Sequence, residues 1–431
     1  MALFKAGASS RALNRGVVIV AMLAAMAASF SVPSGRIESL LPSLAGRFIP
    51  PAESSGTVAV VAIDRATLDA RGAWPWPRDR LAGVIERLQR FEPAAIGILL
   101  PLSGAETPAV TGELREELDS LPAQQRKQAA AWLRRLDTDA RLAKALRKAD
   151  KAVLAMPVRD DRRSPGAMDD TELARLRLPV ADVDRSWRQA LLRALFTAPQ
   201  WPAVDPDLPL AGFLDAATAG VSDTYTGSRH VSSIRLVFEV SGDFLPGFEL
   251  ALLMAAQPDT APLIVPGAGL RLAQQDITAP DLDYYPRPAS SVPVYSLQQL
   301  MQDDNAARQL RNRMLLLGVT APDLTPVLTG PGGRQYAPVV WSAQALYSLV
   351  SDNTFVMPVW FYAAQRGLIL FFALFLVLLP ARWHALRGPV VSALLVFLSL
   401  NAGILMLILK SVWLPVIVPV LFLSGMQLLL T

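Results

Sequence analysis

The sequence contains no cysteine and two histidines, His230 and His384, in 431 residues. The absence of cysteine excludes a disulfide framework, a thiolate nucleophile and a cysteine-ligated metal. Two histidines disfavour a histidine-rich metal site and a His-based catalytic triad. The net charge of +4 is small for this length, and no nucleic-acid-binding motif accompanies it, so we expect no nucleic-acid partner.

Charged residues are scarce as well. They make up 18% of the chain, against 52% hydrophobic residues, and the mean hydropathy is +0.33. That composition is too apolar for an ordinary soluble enzyme. The apolar excess lies at the two ends of the chain, whereas the long middle has an ordinary charge content. The pattern predicts membrane segments at both ends of an exported middle region.

The first 15 residues are basic and contain no acidic side chain, and residues 16–32 form an uncharged apolar run. Two interpretations fit this run. It is either a transmembrane anchor near the lower length limit of about 17 residues, or a cleaved signal peptide whose small-x-small site is Ala25-Met26-Ala27. In both cases the basic flank stays in the cytoplasm and the chain after it is exported.

Three further apolar runs near the C-terminus predict three membrane helices, at residues 361–380, 389–409 and 412–430. The loop between the first two holds Arg382 and Arg387, so the positive-inside rule places it in the cytoplasm. The region between the N-terminal run and the first of these helices then lies outside. Both charge asymmetries therefore predict one topology.

The uncharged core of the first predicted span starts at Gly367, and neither this core nor the two later spans contain an internal acidic or basic residue. That absence argues against a proton relay or an ion pathway. Asn401 is the strongly polar side chain within the second run, and we expect it to hydrogen-bond a neighbouring helix. The membrane part is predicted to anchor the protein and to transmit a signal.

In the exported middle, the buried-type run Val58–Ile63 ends at Asp64. A stiff loop, Gly72-Ala73-Trp74-Pro75-Trp76-Pro77-Arg78, leads into a helix opened by Asp79, and residues 94–100 are again apolar. Strand, helix and strand in this spacing predict a parallel βαβ unit. Further strands are expected at 152–158, 234–240 and 313–318, and further helices at 113–151, 248–256, 294–300 and 341–350. The fold class predicted is α/β, a mostly parallel sheet with helices on both faces, plus α-helical transmembrane segments.

Motifs for catalysis are missing. Gly330-Pro331-Gly332-Gly333 lacks the lysine of a phosphate loop, and no G-x-S-x-G, kinase or H-E-x-x-H signature occurs. The acidic pairs Asp169-Asp170 and Asp303-Asp304 are weak as metal ligands. We therefore predict no catalytic residue, no metal and no cofactor.

A ligand site is the remaining candidate chemistry, because open parallel sheets bind ligands beyond the carboxyl ends of their strands. Asp64 with Arg78 would hold a zwitterionic or anionic ligand, and Trp74 and Trp76 would supply flat apolar walls. In the alternative, structural interpretation the indoles cap the core and Arg78 pairs with Asp64 or with a helix end. The residue pattern leaves both open.

Several of these segments resemble the CHASE2 domain, a bacterial extracytoplasmic sensor module. The resemblance begins with Val60–Asp64, the W-P-W-P-R loop and Ile96-Gly97. It continues in the segments Asp139–Leu146, Leu245–Ala251 and Met314–Ala321 and covers about residues 35 to 355. It implies a sensor followed by three membrane spans and, by analogy, a homodimer. The W-P-W-P-R loop is its most specific part.

The sequence departs from that family at two places. Ile98-Leu99 stands where the family has a strand ending in an acidic residue, so Asp64 lacks an acidic neighbour found in relatives. Family receptors also continue into a cyclase or kinase, whereas this chain ends at Thr431. We expect an effector domain beyond that point; the other interpretation is signalling through a separate partner.

These inferences combine into one prediction, a membrane-bound receptor that senses an unknown extracytoplasmic ligand and drives a cytoplasmic cyclase or kinase. The alternative is a non-signalling envelope protein that binds a periplasmic partner. The predicted organisation is a cytoplasmic terminus (1–15), an anchor or signal segment (16–32), a sensor domain (35–355) and three spans (361–380, 389–409 and 412–430).

Overall fold

The computed structural model describes residues 16–29, 37–38, 40–45, 56–106, 122, 125–126, 137–158, 174–181, 203–224, 230–265, 269–272, 276–278, 283–287, 292–303, 305–378 and 387–430. Some predicted features lie outside these residues: the basic terminus 1–15, the pair Asp169-Asp170, Asp304, and the loop residues Arg382 and His384.

The strands are β1 (Val58–Ile63), β2 (Ala95–Ile98), β3 (Ala152–Pro157), β4 (Thr218–Ser222), β5 (Ile234–Arg235), β6 (Val237–Val240), β7 (Asp243–Pro246), β8 (Leu263–Val265), β9 (Gly269–Arg271), β10 (Asp276–Thr278), β11 (Asp283–Tyr284), β12 (Val294–Ser296), β13 (Met314–Val319), β14 (Leu328–Thr329) and β15 (Gln335–Tyr336). The helices are α1 (Gly16–Ala28), α2 (Leu40–Ala45), α3 (Arg65–Arg71), α4 (Arg78–Gln89), α5 (Thr138–Ala149), α6 (Ala211–Leu214), α7 (Phe248–Ala256), α8 (Leu297–Gln302), α9 (Ala306–Leu310), α10 (Pro338–Val350), α11 (Phe361–Leu378), α12 (Gly388–Lys410) and α13 (Ile417–Leu430).

Six strands form one sheet in the order β12-β1-β13-β2-β3-β4, and all neighbouring strands are parallel. Strand β1 lies inside it, where Val61 pairs with Tyr295 of β12 and with Leu317 of β13. Every residue of β1 and β13 is buried, because helices cover both faces of the sheet. The predicted α/β class with a mostly parallel sheet is confirmed.

Two local predictions were wrong. Residues 294–300 are not helical from their start: Val294–Ser296 is an edge strand, and α8 begins at Leu297. Val294 and Tyr295 are of the side-chain types that favour strands, and they pair with Val60 and Val61 of β1, so that β12 forms the outer edge of the sheet. The run 234–240 is not one strand but two, which pair antiparallel with β11 and β7 outside the six-stranded sheet.

The two faces of the sheet have separate cores. Val61 and Ile63 point to the face covered by α4, α5 and α8, whereas Val60 and Ala62 point to the face covered by α7 and α10. This alternation is the two-residue period of a strand. The carboxyl ends of the strands meet at one edge of the sheet, and Asp64 directly follows β1 there.

Glycines on the sheet allow α7 to approach closely. A Cβ atom added at Gly220 would lie 2.7 Å from the Cα of Phe248 and 2.9 Å from the carbonyl oxygen of Gly247. A Cβ at Gly97 would lie 2.8 Å from side-chain atoms of Phe248 and Leu252. The first helical turn of α7 therefore rests directly on the backbone of β2 and β4.

Four apolar helices form a bundle next to this domain. The helices α11 and α12 are long and apolar enough to cross a membrane, and α1 and α13 are shorter apolar helices. Val18 of α1, Phe372 and Leu376 of α11, and Leu423 of α13 share one buried cluster. The predicted anchor at α1 and the predicted third span at α13 therefore stay predictions. The predicted domain boundaries also stay predictions.

Two polar residues of these helices differ from their predicted roles. Helix α11 begins at Phe361, so Arg366 lies inside it, buried, and its Nε donates to the hydroxyl of Ser29 at 3.1 Å. The expectation of spans without an internal charge is therefore wrong. Asn401 is exposed and donates to the carbonyl of Phe397 in its own helix at 2.8 Å, instead of to another described helix of the same chain.

We predict that Gly220→Ala lowers the free energy of unfolding by about 1–3 kcal/mol, because the added methyl group collides with backbone atoms of α7 that cannot rotate away. Urea unfolding of the detergent-solubilised chain measures this. Gly212→Ala is the matched control, since no atom lies within 4 Å of an added Cβ there. Equal stability of the two variants would contradict the tight contact.

Candidate functional site

Asp64 lies at the carboxyl edge of the sheet and caps helix α3. Its Oδ1 accepts hydrogen bonds from the backbone N–H of Thr67 at 2.9 Å, from the Thr67 hydroxyl at 2.5 Å and from the Ser296 hydroxyl at 3.0 Å. Partial burial alone raises the pKa of Asp64, but these hydrogen bonds outweigh it and hold the pKa below its ordinary value. Asp64 is therefore an ionised cap that joins α3 to the end of β12.

Arg78, at the end of the W-P-W-P-R loop, is a buried cation with a full set of partners. Its Nη1 donates to Asp139 in the first turn of α5. Its Nη2 donates to the carbonyl oxygens of Leu102, Ser103 and Gly104, the last at 2.6 Å. The guanidinium thus joins α4, the loop after β2 and α5. This matches the structural interpretation in which the arginine pairs with a helix end.

Glu106 completes this arrangement. Its carboxylate accepts from the backbone N–H of Arg78 at 2.7 Å and from the hydroxyl of Thr138 at 2.9 Å. Its own backbone N–H donates to Asp139 at 3.1 Å. Sequence reasoning assigned neither acid to this site: Asp139 appeared only as the first residue of the segment Asp139–Leu146, and no spacing pattern links either acid to the loop.

The two tryptophans of the loop have different surroundings. Trp76 is buried in the core on the α4 face, and its indole N–H donates to the carbonyl of Gly72 at 2.9 Å. Trp74 is half-buried and meets Trp76 edge to face, with ring centroids 5.8 Å apart. The guanidinium of Arg80 lies 5.6 Å from the Trp76 ring centroid. Trp76 thus caps the core, and Trp74 is the more accessible indole.

The structure places these four residues at one edge of the sheet but gives them separate partners. Asp64 bonds to Thr67 and Ser296, and Arg78 bonds to Asp139. Leu99, where the family resemblance leads us to expect an acid, is fully buried in the core on the α7 face. A ligand role for Asp64, Trp74, Trp76 and Arg78 stays a prediction, and each contact described here serves the fold.

A second polar group that the sequence did not reveal lies between the two helices on the other face of the sheet. Glu249, in the first turn of α7, is buried and accepts a hydrogen bond from the hydroxyl of Ser342 in α10. Burial raises the pKa of Glu249 to about 7, the Ser342 bond lowers it in part, and the nearby Asp223 raises it further. Among the described residues, no group of three or more His, Asp and Glu side chains is arranged to hold a metal ion.

A third polar site lies where the domain meets the apolar helices. Glu38 is fully buried, and its carboxylate accepts hydrogen bonds from the backbone N–H groups of Ile417 and Val418, at 3.1 and 2.8 Å. The amide of Gln365 in α11 donates to it at 3.1 Å. Burial raises the pKa of Glu38 to about 7, and the three hydrogen bonds partly oppose that rise. One side chain therefore joins the segment before the domain to α11 and to the N-terminus of α13.

Aromatic and backbone contacts surround this acid. Trp413, just before α13, is buried between Tyr285 and Phe361, with ring centroids 4.7 and 5.1 Å away. The backbone N–H of Val356 donates to Ser411 at 2.8 Å, and that of Trp413 donates to Val356 at 3.0 Å. We call Glu38, Tyr285, Val356, Phe361, Gln365 and Trp413 the junction.

Comparison with known proteins agrees with this architecture. The model of the CHASE2 domain family matches residues 17–379, which is most of the chain, and the chain belongs to that family. CHASE2 is a family of extracellular sensory domains found in signalling proteins. The search of curated proteins and the search of solved structures found no match. The resemblance inferred from the W-P-W-P-R loop is therefore confirmed.

We predict that Arg78→Ala destabilises the protein by about 3–5 kcal/mol, because it leaves the Asp139 carboxylate, whose side chain is only 15% exposed, without its cation. Chemical unfolding in detergent measures this. The control is Arg65→Ala, which removes ion pairs to Asp69 and Asp323 from a side chain that is 69% exposed. That change should cost no more than about 1 kcal/mol. Equal losses would show that the Arg78 pair is not a buried structural contact.

We also predict that the stability of the protein falls as the pH rises from about 4.5 to 7, because of the ionisation of Glu249. The folded pKa of about 7 exceeds the ordinary value of 4.5, so the folded protein retains a proton that the unfolded chain has released. One such proton changes stability by about 1.4 kcal/mol per pH unit. Glu249→Gln keeps an oxygen for Ser342 but cannot ionise, so its stability should be flatter over this range. Parallel pH profiles for both proteins would contradict the raised pKa.

Proposed function

We propose that the protein is a membrane-bound receptor module. Its CHASE2 domain senses a signal outside a bacterial inner membrane, and the apolar helices pass the response to a cytoplasmic cyclase or kinase. No catalytic activity is assigned to these residues. The observation that carries the proposal is the junction, in which Glu38 and Trp413 attach the N-terminus of α13 to the sensory domain and to α11.

The surface of the helix bundle supports a membrane location. Large apolar side chains point outward from each apolar helix, among them Leu23 in α1, Phe371 in α11, Phe397 in α12 and Leu428 in α13. A water-exposed surface of this kind is unusual, whereas lipid accepts it. The polar side chains Arg366, Gln365, Ser392 and Gln427 are buried within the bundle instead. Such an inside-out distribution of polarity is expected of helices in a bilayer.

The contacts of the junction form a continuous route from the sheet to the last helix. Helix α10 covers β1 and β13, and its last turn leads into the backbone pairing of Val356 with Val412. Trp413 then packs on Tyr285 of the domain and on Phe361 at the start of α11. A displacement of α10 on the sheet therefore has packed neighbours through which to shift both α11 and α13.

Glu38 ties this route to the N-terminus of helix α13. A carboxylate at a helix N-terminus satisfies N–H groups that have no partner within the helix, and its negative charge suits the positive end of the helix dipole. Helix α1 also contacts α13 directly, because Val18 and Leu423 share one buried cluster. The position of α13 is thus coupled to α1 as well as to the domain. We propose that this coupling lets the signal reach the cytoplasmic end of α13.

To test this proposal, a catalytic adenylate cyclase domain is fused after Thr431, and cyclic AMP is measured in cells that produce the fusion protein. We expect Glu38→Ala to change the basal output severalfold, because losing such a cap costs about 0.5–2 kcal/mol and frees the start of α13. Glu38→Gln keeps an acceptor oxygen and should restore most of the parent behaviour. Glu92→Ala removes an exposed ion pair to Arg311 and serves as the control.

Two results would count against the receptor. Output that is equal in all four proteins would favour the envelope protein that binds a partner without signalling. A reporter enzyme that works only in the cytoplasm can be inserted into the CHASE2 domain. Activity of this reporter would overturn the topology itself.

A further inference from the structure

Of the two long apolar helices, α12 is the one less covered by the rest of the chain. Buried residues make up 17% of its apolar stretch, against 44% for α11. Ser392, Gly403 and Leu407 form its buried face, where Gly403 meets Val416 and Leu41. The opposite face has no neighbour among the described residues of the bundle, and it contains the exposed Asn401.

The exposed face carries a regular stripe. Its members recur at alternating intervals of four and three residues, and all are exposed: Val390, Leu394, Phe397, Asn401, Ile404 and Ile408. A 4-3 repeat is the spacing by which two helices pack side by side along a common seam. Leu398, Leu405 and Leu409 are exposed as well, so Asn401 is what distinguishes this side of α12 from a surface that contacts only lipid.

Asn401 is the informative member of the stripe. Helix α12 has 23 residues, so Asn401 lies near its middle and, in the proposed topology, near the centre of the bilayer. Its bond to the Phe397 carbonyl uses one amide hydrogen. A carboxamide also offers a second N–H and a carbonyl oxygen, which lipid cannot satisfy. The group is self-complementary, so a second Asn401 supplies the donor and acceptor that it needs.

We infer that α12 pairs with α12 of a second copy of this chain along the Val390–Ile408 stripe, with Asn401 of the two copies hydrogen-bonded across the seam. The inference rests on the proposed membrane insertion of α12, and it goes beyond the proposed function, which requires no particular dimer face. It also places the dimer contact on the helix that is joined to α13 by the Ser411–Val416 loop of the junction.

The chain has no cysteine, so single cysteines report contacts without background. Full-length variants with Leu394→Cys or Ile404→Cys on the stripe, and with Leu398→Cys or Leu409→Cys off it, are oxidised in native membranes with copper phenanthroline. All four positions are exposed. We expect disulfide-linked dimers at 394 and 404 and almost none at 398 and 409, because a disulfide needs Cα atoms within about 7 Å. Equal linking at all positions, linking at 398 and 409 alone, or no linking would overturn the pairing.

The polar contact is tested separately by energy transfer between labelled copies in vesicles. Asn401→Leu should raise the dimer dissociation constant by roughly 3- to 30-fold, since an interhelical hydrogen bond in a membrane has that strength. Asn401→Gln should retain most of the association. The replaced side chain points outward and leucine suits lipid, so folding of the helix is preserved. Unchanged association of the leucine variant would refute the role of Asn401.

A water-soluble maleimide distinguishes failure of this inference from failure of the membrane location. If none of the four cysteines reacts with the maleimide and none forms a disulfide-linked dimer, the membrane location stands and the dimer face alone is refuted. Rapid labelling of the four positions would show that α12 is outside the bilayer, and both proposals would then fall.

Discussion

The architecture depends on covering both faces of a parallel sheet whose central strands carry no polar side chain. Strands β1 and β13 are wholly buried, and such strands are stable only between layers of helices. This requirement places the apolar α7 on one face, with Gly97 and Gly220 beneath it where a larger residue would collide. It also buries the Glu249 carboxyl group, which shares a hydrogen bond with Ser342 of the second covering helix.

The same requirement sets how far the fold could be predicted from sequence. Strands buried on both faces appear as continuous apolar runs, so β1, β2, β3 and β13 were all predicted. The edge strand Val294–Ser296 has three residues, too few to show a period, and it was absorbed into the following helix. Strand order could not be predicted, because β13 enters between β1 and β2 from a distant part of the chain. Long-range pairing of this kind leaves no local pattern.

At the carboxyl edge, the sequence located the important loop but not its partners. Arg78 bonds to Asp139, which is 61 residues away, and the junction acid Glu38 bonds to Ile417, which is 379 residues away. No spacing rule reaches across such distances. Asp64 is different, because an acid three residues before Thr67 is a local capping signal and was open to recognition. The W-P-W-P-R loop, the most specific part of the family resemblance, thus has a structural role: Trp76 fills the core, and Arg78 joins three segments.

The need to satisfy buried polar groups governs the apolar helices as it governs the domain. Arg366 and Gln365 lie inside the bundle against Ser29 and Glu38, and in the proposed bilayer lipid would offer these groups no hydrogen-bond partner. The polar side chains of α11 therefore collect at the end that meets the domain, where Glu38 also satisfies the first N–H groups of α13. The buried polar side chains of the bundle are thus the same side chains that connect its helices to one another and to Glu38. A shift of α11 or α13 would break hydrogen bonds to the buried Glu38, so these two helices and the domain have reason to move together.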